Sequence, residues 1–313
     1  MEIGRIVFNQ VLVMTLLIGV GILLYKIRLI SRQTNLQLTN LVQYVVNPLL
    51  VLSSFSMEYS RDYIHNFIIG LLAASLFHAL AILISHIARL GANRHLLPVE
   101  RFGIIFTNSG FMAAPIMLSL YGNLGLFYNN TCVIAFQLFV WTYGISLMSD
   151  DNHGGIRQKI RLFINPMIIC VFLGMAMYLM RLTFPSPIRK SIEFIAGMNT
   201  PLAMIVSGIY LAQGHLLSLF RKPRVLWISC IRMILFPLVV IALLVPLHLD
   251  QTLTYSLVIA MSVPMASSVI FFSKNSEKRT EHASDLFTLS TILGLVTIPC
   301  MITLTSKLCS LLY

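Results

Sequence analysis

The sequence predicts an all-α polytopic membrane protein with ten transmembrane helices, arranged as two inverted repeats of five helices each. Three observations support this fold class. The 313 residues are 57 % hydrophobic and 11 % charged, with a mean hydropathy of +0.85, whereas a soluble domain carries about 25 % charged residues. Ten apolar segments are long enough to cross a bilayer, since a span needs about 20 residues. Matching proline motifs recur in the two halves of the chain.

The predicted spans follow one another with short loops between them. They cover residues 5–25, 36–56, 64–88, 101–121, 126–148, 163–182, 190–213, 224–247, 252–273 and 284–311. The longest candidate break is MSDDNHGGIRQKIR at residues 148–161, which is polar and contains two glycines. We therefore divide the chain into a first five-helix repeat (1–148), a hinge loop (149–162) and a second five-helix repeat (163–313).

Lysine and arginine residues predict the orientation in the membrane. Each of the five odd-numbered loops carries three of them, so these loops hold fifteen of the 22. The opposite side carries six, and Arg232 lies inside span eight. Because cytoplasmic loops are enriched in Lys and Arg, we expect a multi-pass protein of the cell (inner) membrane with a cytoplasmic hinge loop and both termini outside. Short basic loops between apolar runs are a membrane pattern, so the net charge of +11 does not predict nucleic-acid binding.

The proline motifs indicate an inverted repeat. NPLLVLSSF in span two corresponds to NTPLAMIVSG in span seven, and the proline of span four corresponds to SVPMASS in span nine. Pro48 and Pro201 are 153 residues apart, and Pro115 and Pro264 are 149 apart. Since each unit has an odd number of spans, the second unit must enter the membrane from the opposite side. This architecture is common in secondary transporters.

The stretch TNSGFMAAPIMLSLYG, residues 107–122, breaks the apolar pattern of span four. Proline removes an N–H group and frees backbone carbonyls, which cost several kcal/mol each in hydrocarbon unless protein or water satisfies them. We interpret the breaks in spans four and nine as an anion site, with the half-helix after Pro115 supplying N–H groups. A helix end stabilises an anion by roughly 0.3–1 kcal/mol when exposed and by up to about 2 kcal/mol when partly buried. An ordinary proline kink is the alternative.

The candidate substrate-binding residues lie at these breaks or are polar residues near the middle of a span. They are Asn108, Ser109, Gly110, Pro115, Gln137, Pro264, Ser267, Arg232 and Asn47. Arg232 either neutralises a carboxylate or extends towards the cytoplasmic interface. His78 is more typical of a hydrogen bond between helices than of a ligand contact. No Asp or Glu lies at mid-span, which disfavours, without excluding, proton or sodium coupling.

Three motifs resemble the auxin efflux carrier family. NSGFMAAP is similar to that family's asparagine-to-proline crossover, FQLFVWTYG (136–144) to its aromatic-rich fifth helix, and HASDLFTLSTILGLVTIP (282–299) to its last helix. The likeness is to bacterial members of the malonate/malate permease-like type, since the long central hydrophilic loop of the plant members is absent. The resemblance implies a scaffold from spans one, two, six and seven, a transport domain from the other spans, elevator-type movement between them and a homodimer.

Together these observations predict a secondary carrier of small organic anions (carboxylates), embedded in membrane lipid, with its substrate at a mid-membrane crossing of helices four and nine. We expect no enzyme activity, cofactor or metal, because the sequence contains no nucleophile–base pair, metal-ligand cluster or phosphate-binding loop. Two alternatives stay open. One is a sodium- or proton-coupled symporter of organic anions, and the other is a membrane receptor that binds an anion without moving it.

Overall fold

The protein is almost entirely helical in a computed structural model, which describes residues 2–149, 165–214, 219–273 and 276–312. All but the first residue of the predicted hinge loop, 149–162, lies outside these residues. The fifteen α-helices of the described part are α1 (Glu2–Lys26), α2 (Arg32–Leu41), α3 (Asn47–Ser54), α4 (Arg61–Ile84), α5 (Leu97–Ile105), α6 (Ala114–Phe139), α7 (Ile145–Met148), α8 (Pro166–Leu179), α9 (Ser186–Gly197), α10 (Asn199–Ala212), α11 (Pro223–Cys230), α12 (Phe236–Leu244), α13 (Gln251–Ser262), α14 (Ser268–Phe272) and α15 (Glu277–Leu312).

Six helical stretches of the described residues are long and apolar enough to cross a membrane. They are Ile3–Lys26, Arg61–Arg89, Ser109–Met148, Ser186–Ala212, Pro223–Leu247 and Glu277–Leu311. These stretches support a polytopic membrane protein but do not separate all ten predicted spans. One reason is that Ser109–Met148 includes parts of predicted spans four and five, which are divided only by a kink at Gly122 with φ +58°. Another is that the apolar helix Pro166–Leu179 is shorter than a full span.

The outer surface of the helix bundle is apolar, as a lipid-facing surface must be. Leu16 of α1, Leu72 of α4 and Phe172 of α8 have exposed fractions of 65 %, 67 % and 71 %. In water such faces would form large apolar patches, which soluble monomers rarely carry. In a bilayer they contact acyl chains, so the exposed apolar side chains and the buried polar ones described below agree with a membrane location.

Prolines are accommodated by π-helical turns. Four such turns occur in the described residues, and in three of them the first residue after the turn donates its N–H to the carbonyl five residues earlier and is itself followed by proline. A wider turn relieves the clash between the proline ring and the carbonyl of the preceding turn. The three turns are Val42–Val46 before Pro48, Ser109–Ala113 before Pro115, and Ile231–Leu235 before Pro237.

Helices α1 and α10 approach closely through glycines. A Cβ atom at Gly21 would overlap the carbonyl oxygen of Ile205, and one at Gly208 would overlap the carbonyl oxygen of Ile18. Small residues at such positions let two helix backbones pack against each other within a membrane. This contact joins predicted spans one and seven, which the family resemblance assigns to the scaffold.

The first turn of α5 carries a buried ion-pair cluster around Glu100, just before predicted span four. Arg224 donates from Nε to Glu100 Oε1 at 2.9 Å and from Nη2 to Oε2 at 2.5 Å, and His282 Nε2 lies 3.1 Å from Oε1. Arg224 also donates to the carbonyl oxygens of Ala88 and Leu90. Burial alone would raise the pKa of Glu100, but the hydrogen bonds from Arg224 and His282 hold it below its usual value. The cluster connects the ends of α5, α11 and α15 with the 3-10 turn after α4.

Candidate functional site

The first helix break lies between α5 and the π-helical turn Ser109–Ala113. Helix α5 ends at Ile105, and Phe106 is extended, with φ −100° and ψ 122°. Asn108 precedes the next helical residue, and its carbonyl oxygen accepts from the N–H groups of Phe111 at 3.2 Å and Met112 at 2.9 Å. By the geometry of a helix start, the N–H groups of Ser109 and the residue after it have no acceptor within the helix.

The break therefore begins before the residue to which the sequence analysis attributed it. The helix resumes at Ser109, six residues before Pro115, so the N–H groups at the helix start are not those that follow Pro115. The π-helical turn makes this possible, because Ala114 donates to Ser109 O, five residues back. The next bond in that series would join Pro115 to Gly110 O, but proline has no N–H. Asn199 Nδ2 lies 3.4 Å from Gly110 O and supplies the missing donor.

The second helix break lies between α13 and α14 and pairs with the first. Asn108 N donates to Pro264 O at 2.9 Å, and Ala266 N donates to Phe106 O at 3.0 Å. These two bonds place Thr107 opposite Met265 in a short antiparallel bridge. Extended backbone in a membrane must find its hydrogen bonds within the protein, and here each break supplies partners to the other.

A small polar cavity of about 60 Å³ opens beside the paired breaks. The cavity is lined by residues of both breaks, by the π-helical turn before Pro48 and by the last two turns of α6. None of its lining residues is Asp, Glu, Lys or Arg. The polar lining side chains are Gln43, Asn47, Thr107, Asn108, Ser109, Gln137, Ser267 and Ser268. The cavity can therefore hydrogen-bond a polar or anionic group through neutral donors and helix-start N–H groups.

Several polar atoms at this cavity have no hydrogen-bond partner in the part of the chain that the structure describes. They are Asn108 Nδ2, Thr107 Oγ1 and Ser268 Oγ, all buried. Asn108 is 5 % exposed and Thr107 is 2 % exposed. A buried polar group without a partner costs about 1–3 kcal/mol. A ligand or water in the cavity that accepted from Asn108 and donated or accepted at the two hydroxyls would remove that cost.

Asn47 and Gln137 border the cavity from two further helices. The Asn47 amide packs against Gly110, where an added Cβ would lie 2.6 Å from Asn47 Nδ2. Gln137 Oε1 accepts from Trp141 Nε1 at 2.9 Å, which fixes the direction of its amide. A glycine at position 110 is therefore needed for the close approach of Asn47, and the Gln137 NH₂ group is oriented by its bond to Trp141.

Six of the nine sequence-predicted residues line the cavity, and three lie outside it. Pro115 and Pro264 shape the backbone without lining the cavity, and Arg232 lies behind the second break, where Nη2 donates to Val263 O at 2.8 Å. Direct contact between Arg232 and a substrate stays a prediction. The sequence analysis missed three polar lining residues, Gln43, Thr107 and Ser268. Thr107 opens the quoted motif and Ser268 closes SVPMASS, so proximity to the breaks could have identified these two.

Comparison with known proteins adds the family to this geometry. A family model described as "membrane transport protein" matches residues 6–159 and 154–302. The chain belongs to this family. No curated protein matches the chain. Membership confirms the resemblance to auxin efflux carriers and the expectation of a transport protein rather than an enzyme. The cavity at the paired breaks is the candidate substrate site of this membrane transport protein.

Proposed function

We propose that the protein is a secondary carrier that moves small organic anions with a carboxylate group across a cell membrane. One observation supports this function above the others. The buried Nδ2 atom of Asn108 has no hydrogen-bond partner among the described residues, and the side chain lines a small polar cavity between two broken helices. In secondary transporters, broken helices at such positions bind the substrate, with half-helix starts directed at anionic groups.

The chemistry of the cavity supports an anion bound by neutral donors. An amide NH₂, two hydroxyls and the N–H groups at the start of a helix can all donate to carboxylate oxygens. None of the described residues that line the cavity is acidic, so none of them repels an anionic ligand. Malonate and pyruvate are suitable first probes, because they represent dicarboxylates and monocarboxylates of small volume.

We further propose ten spans, a cytoplasmic hinge loop and external termini. The charge asymmetry of the loops supports this arrangement, and the two matched stretches of the family model agree with two repeats. Cysteines introduced at Gly154 and after Tyr313, in a background without the five native cysteines, should react with impermeant maleimide from opposite sides of the membrane. Labelling of both from one side would contradict the inverted repeat.

The proposed transport cycle is of the elevator type, with the substrate at the crossing of spans four and nine. The scaffold comprises spans one, two, six and seven and forms a homodimer. The glycine contact between α1 and α10 supports a rigid scaffold, because close backbone packing leaves little freedom of movement. The Glu100 cluster supports a second rigid body, because it connects residues at or next to the ends of spans three, four, eight and ten.

Two measurements on purified protein test the function. Thermal stability is first measured with a panel of mono- and dicarboxylates, and we expect selective stabilisation by at least one of them. Uptake of the ¹⁴C-labelled form of that acid into proteoliposomes is then compared with empty liposomes and with the Asn108→Leu variant. Uptake that the variant loses supports the carrier. Binding without uptake in wild-type protein would favour a receptor instead.

A further inference from the structure

A buried cation lies behind the second helix break. Arg232 lies in the π-helical turn between α11 and α12 and has an exposed fraction of 0 %. Its Nη2 atom donates to Val263 O at 2.8 Å, and its guanidinium lies 5.1 Å from the centre of the Phe236 ring. Since the whole side chain is enclosed by protein, it does not extend to the aqueous interface.

No carboxylate balances this charge within the part of the chain that the structure describes. The ion pairs found there use the carboxylates of Glu100, Glu193, Glu281 and Asp285, and none of them involves Arg232. Two of its nitrogens, Nε and Nη1, are buried and have no partner among the described residues. An isolated charge inside a membrane is costly, and such residues commonly mark ion or substrate pathways.

The oxygen that Arg232 contacts is at the negative end of a broken helix. Val263 is the first residue after α13, and the last carbonyl groups of a helix carry a partial negative charge. In secondary transporters, carbonyls of unwound segments and half-helix ends of this kind coordinate a co-transported Na⁺ or bind H⁺. The guanidinium therefore occupies a position that is chemically suited to a coupling cation.

We propose that Arg232 is a resident cation that replaces a co-transported cation, so that the carrier moves its carboxylate without Na⁺ or H⁺ coupling. This inference rests on the proposed transport function and specifies its energetics. Ala266, Ser267 and Ser268 line the cavity and follow closely in sequence on Val263, whose carbonyl oxygen Arg232 contacts. Arg232 thus acts on the substrate as a positioning residue, by holding the second break and supplying a fixed positive charge behind it.

The positions of the titratable groups agree with this proposal. Of the eleven Asp and Glu residues, only Glu193 and Asp285 fall inside a predicted span, and both lie within four residues of its end. Carboxylates deep in the membrane are the usual carriers of H⁺ and Na⁺ coupling. His78 of α4 is the titratable neighbour whose charge would interact with that of Arg232. Helices α5 and α15 also pack near this turn, and their Glu100, His282 and Asp285 form ion pairs at the helix ends, whereas Arg101 of α5 bonds to Ser85 and Tyr143.

The first test is the driving force of uptake. Proteoliposomes take up ¹⁴C-malonate or ¹⁴C-pyruvate under a Na⁺ gradient, under a pH gradient between about pH 7 and about pH 8, where both acids stay ionised, or under a K⁺ diffusion potential. We expect a change of less than about twofold with either chemical gradient and faster uptake with an inside-positive potential, since an anion that moves alone carries its charge. A rise of about tenfold or more with the Na⁺ or pH gradient would overturn the proposal.

The second test removes the cation, with a matched control elsewhere. Arg101 is also buried, but it bonds to Ser85 Oγ at 3.2 Å and to Tyr143 OH at 2.5 Å, away from the breaks. Arg232→Gln should lower uptake by about tenfold or more, whereas Arg101→Gln should lower it less than about threefold. Arg232→Lys keeps the charge and should stay independent of Na⁺ at a reduced rate. Uptake of Arg232→Gln at the wild-type rate without a cation gradient would contradict the proposal.

A binding measurement decides the inference separately from transport. Melting temperature is compared in NaCl and choline chloride for wild type, Arg232→Ala and Arg101→Ala. We expect Na⁺ to stabilise only Arg232→Ala, whose helix end is then open to a cation, and methylguanidinium at low millimolar concentration to do the same. If wild type shows no uptake of either acid, the proposed function fails. Stabilisation of Arg232→Ala alone by Na⁺ would still support Arg232 as a resident cation. Stabilisation of wild type by Na⁺ over choline, or no Na⁺ effect on Arg232→Ala, overturns it.

Discussion

The two ends of α5 carry opposite kinds of buried polar site. At the start of the helix, both carboxylate oxygens of Glu100 have charged partners. At its end, Thr107 and Asn108 are equally enclosed but retain atoms without partners. Buried polar groups cost free energy unless they are hydrogen-bonded. We infer that the paired cluster stabilises the fold and that the unpaired cavity binds a ligand, so substitutions at the two ends should separate stability from affinity.

The largest effect is expected from Glu100→Gln. This change keeps the shape of the side chain but removes the charge that pairs with Arg224. Removing one partner of a fully buried ion pair costs about 3–5 kcal/mol, and we expect the lower end of that range because the Arg224 side chain is 25 % exposed. We expect a much lower melting temperature in detergent, with ligand affinity kept in the protein that stays folded. The double variant Glu100→Gln/Arg224→Gln should recover part of the loss, and strictly additive losses would contradict the pairing.

The same residue predicts an acid-dependent loss of stability. The pKa of Glu100 is lower in the folded protein than its usual value, despite burial, because of the hydrogen bonds from Arg224 and His282. A carboxylate with a depressed pKa contributes stability that is fully present above its unfolded pKa, about 4.3, and is lost as the pH falls through the folded pKa. Melting temperature should therefore decline below about pH 4 in wild type. A Glu100→Gln variant that declines just as steeply would show that other groups are responsible.

The next largest effect is expected on affinity, from Asn108→Leu. Leucine keeps similar bulk but removes the amide donor and acceptor that border the cavity. A lost hydrogen bond to a charged ligand, with its partner left unpaired, costs about 1–3 kcal/mol, so affinity for the best carboxylate of the thermal-shift panel should fall roughly five- to 150-fold. Stability without ligand should hardly change, because Asn108 Nδ2 has no partner to lose among the described residues.

Asn130→Leu is the matched control for that variant. Asn130 is as buried as Asn108, but its Nδ2 donates to Ser54 Oγ at 2.6 Å. We expect the opposite outcome, with a lower melting temperature and unchanged affinity. If Asn108→Leu melted lower while keeping full affinity, the first break would be a structural kink and the cavity would not be the substrate site.

A smaller effect on affinity is expected from Gly110→Ala. The added methyl would lie 2.6 Å from Asn47 Nδ2, and this amide is the movable end of a side chain. The fold should therefore tolerate the change while Asn47 is displaced from the cavity. We expect affinity to fall about three- to tenfold, in line with one hydrogen bond of about 0.5–1.5 kcal/mol. Gly19→Ala, with no atom within 4 Å of the new methyl, should change neither property adversely. A large drop in melting temperature with normal affinity would contradict this account.

The sequence predicted the class of the protein and most of the residues around the candidate cavity because both depend on local patterns. Apolar runs identify membrane helices by length alone, and Asn108, Ser109 and Gly110 are conspicuous inside such a run. The partners of these residues could not be predicted in this way. Asn108 N bonds to Pro264 O and Asn199 bonds to Gly110 O, and each contact joins segments from different halves of the chain.

Charged residues show the same limit. Glu100 lies just outside a predicted span and seemed unremarkable in the sequence, since its partners Arg224 and His282 follow more than a hundred residues later. Arg232 was correctly singled out as a basic residue inside a span, but composition cannot distinguish a substrate contact from a bond to Val263 O. In both cases the charged residue can be identified in the sequence, but its partners depend on how distant helices pack.

The smallest effect is expected from Pro115→Ala, and it separates two accounts of the first break. If Pro115 caused the break, alanine would let the helix continue, bury the N–H groups at the site and abolish binding. The break instead lies at Phe106 to Asn108, where backbone bonds to the second break hold it. Alanine would add one N–H group, which can donate to Gly110 O in place of Asn199 and gain about 0.5–1.5 kcal/mol. Loss of the proline's restriction on the unfolded chain offsets about 0.4–1 kcal/mol of that gain. We therefore expect a melting temperature close to that of wild type and affinity within about threefold of the wild-type value.

Pro237→Ala is the matched control, because Pro237 has the same position after a π-helical turn but lies away from the cavity. Its melting temperature should also stay close to that of wild type, and its affinity should be unchanged. A tenfold loss of affinity in Pro115→Ala alone would mean that the proline itself, rather than the pairing of the two breaks, keeps the site open.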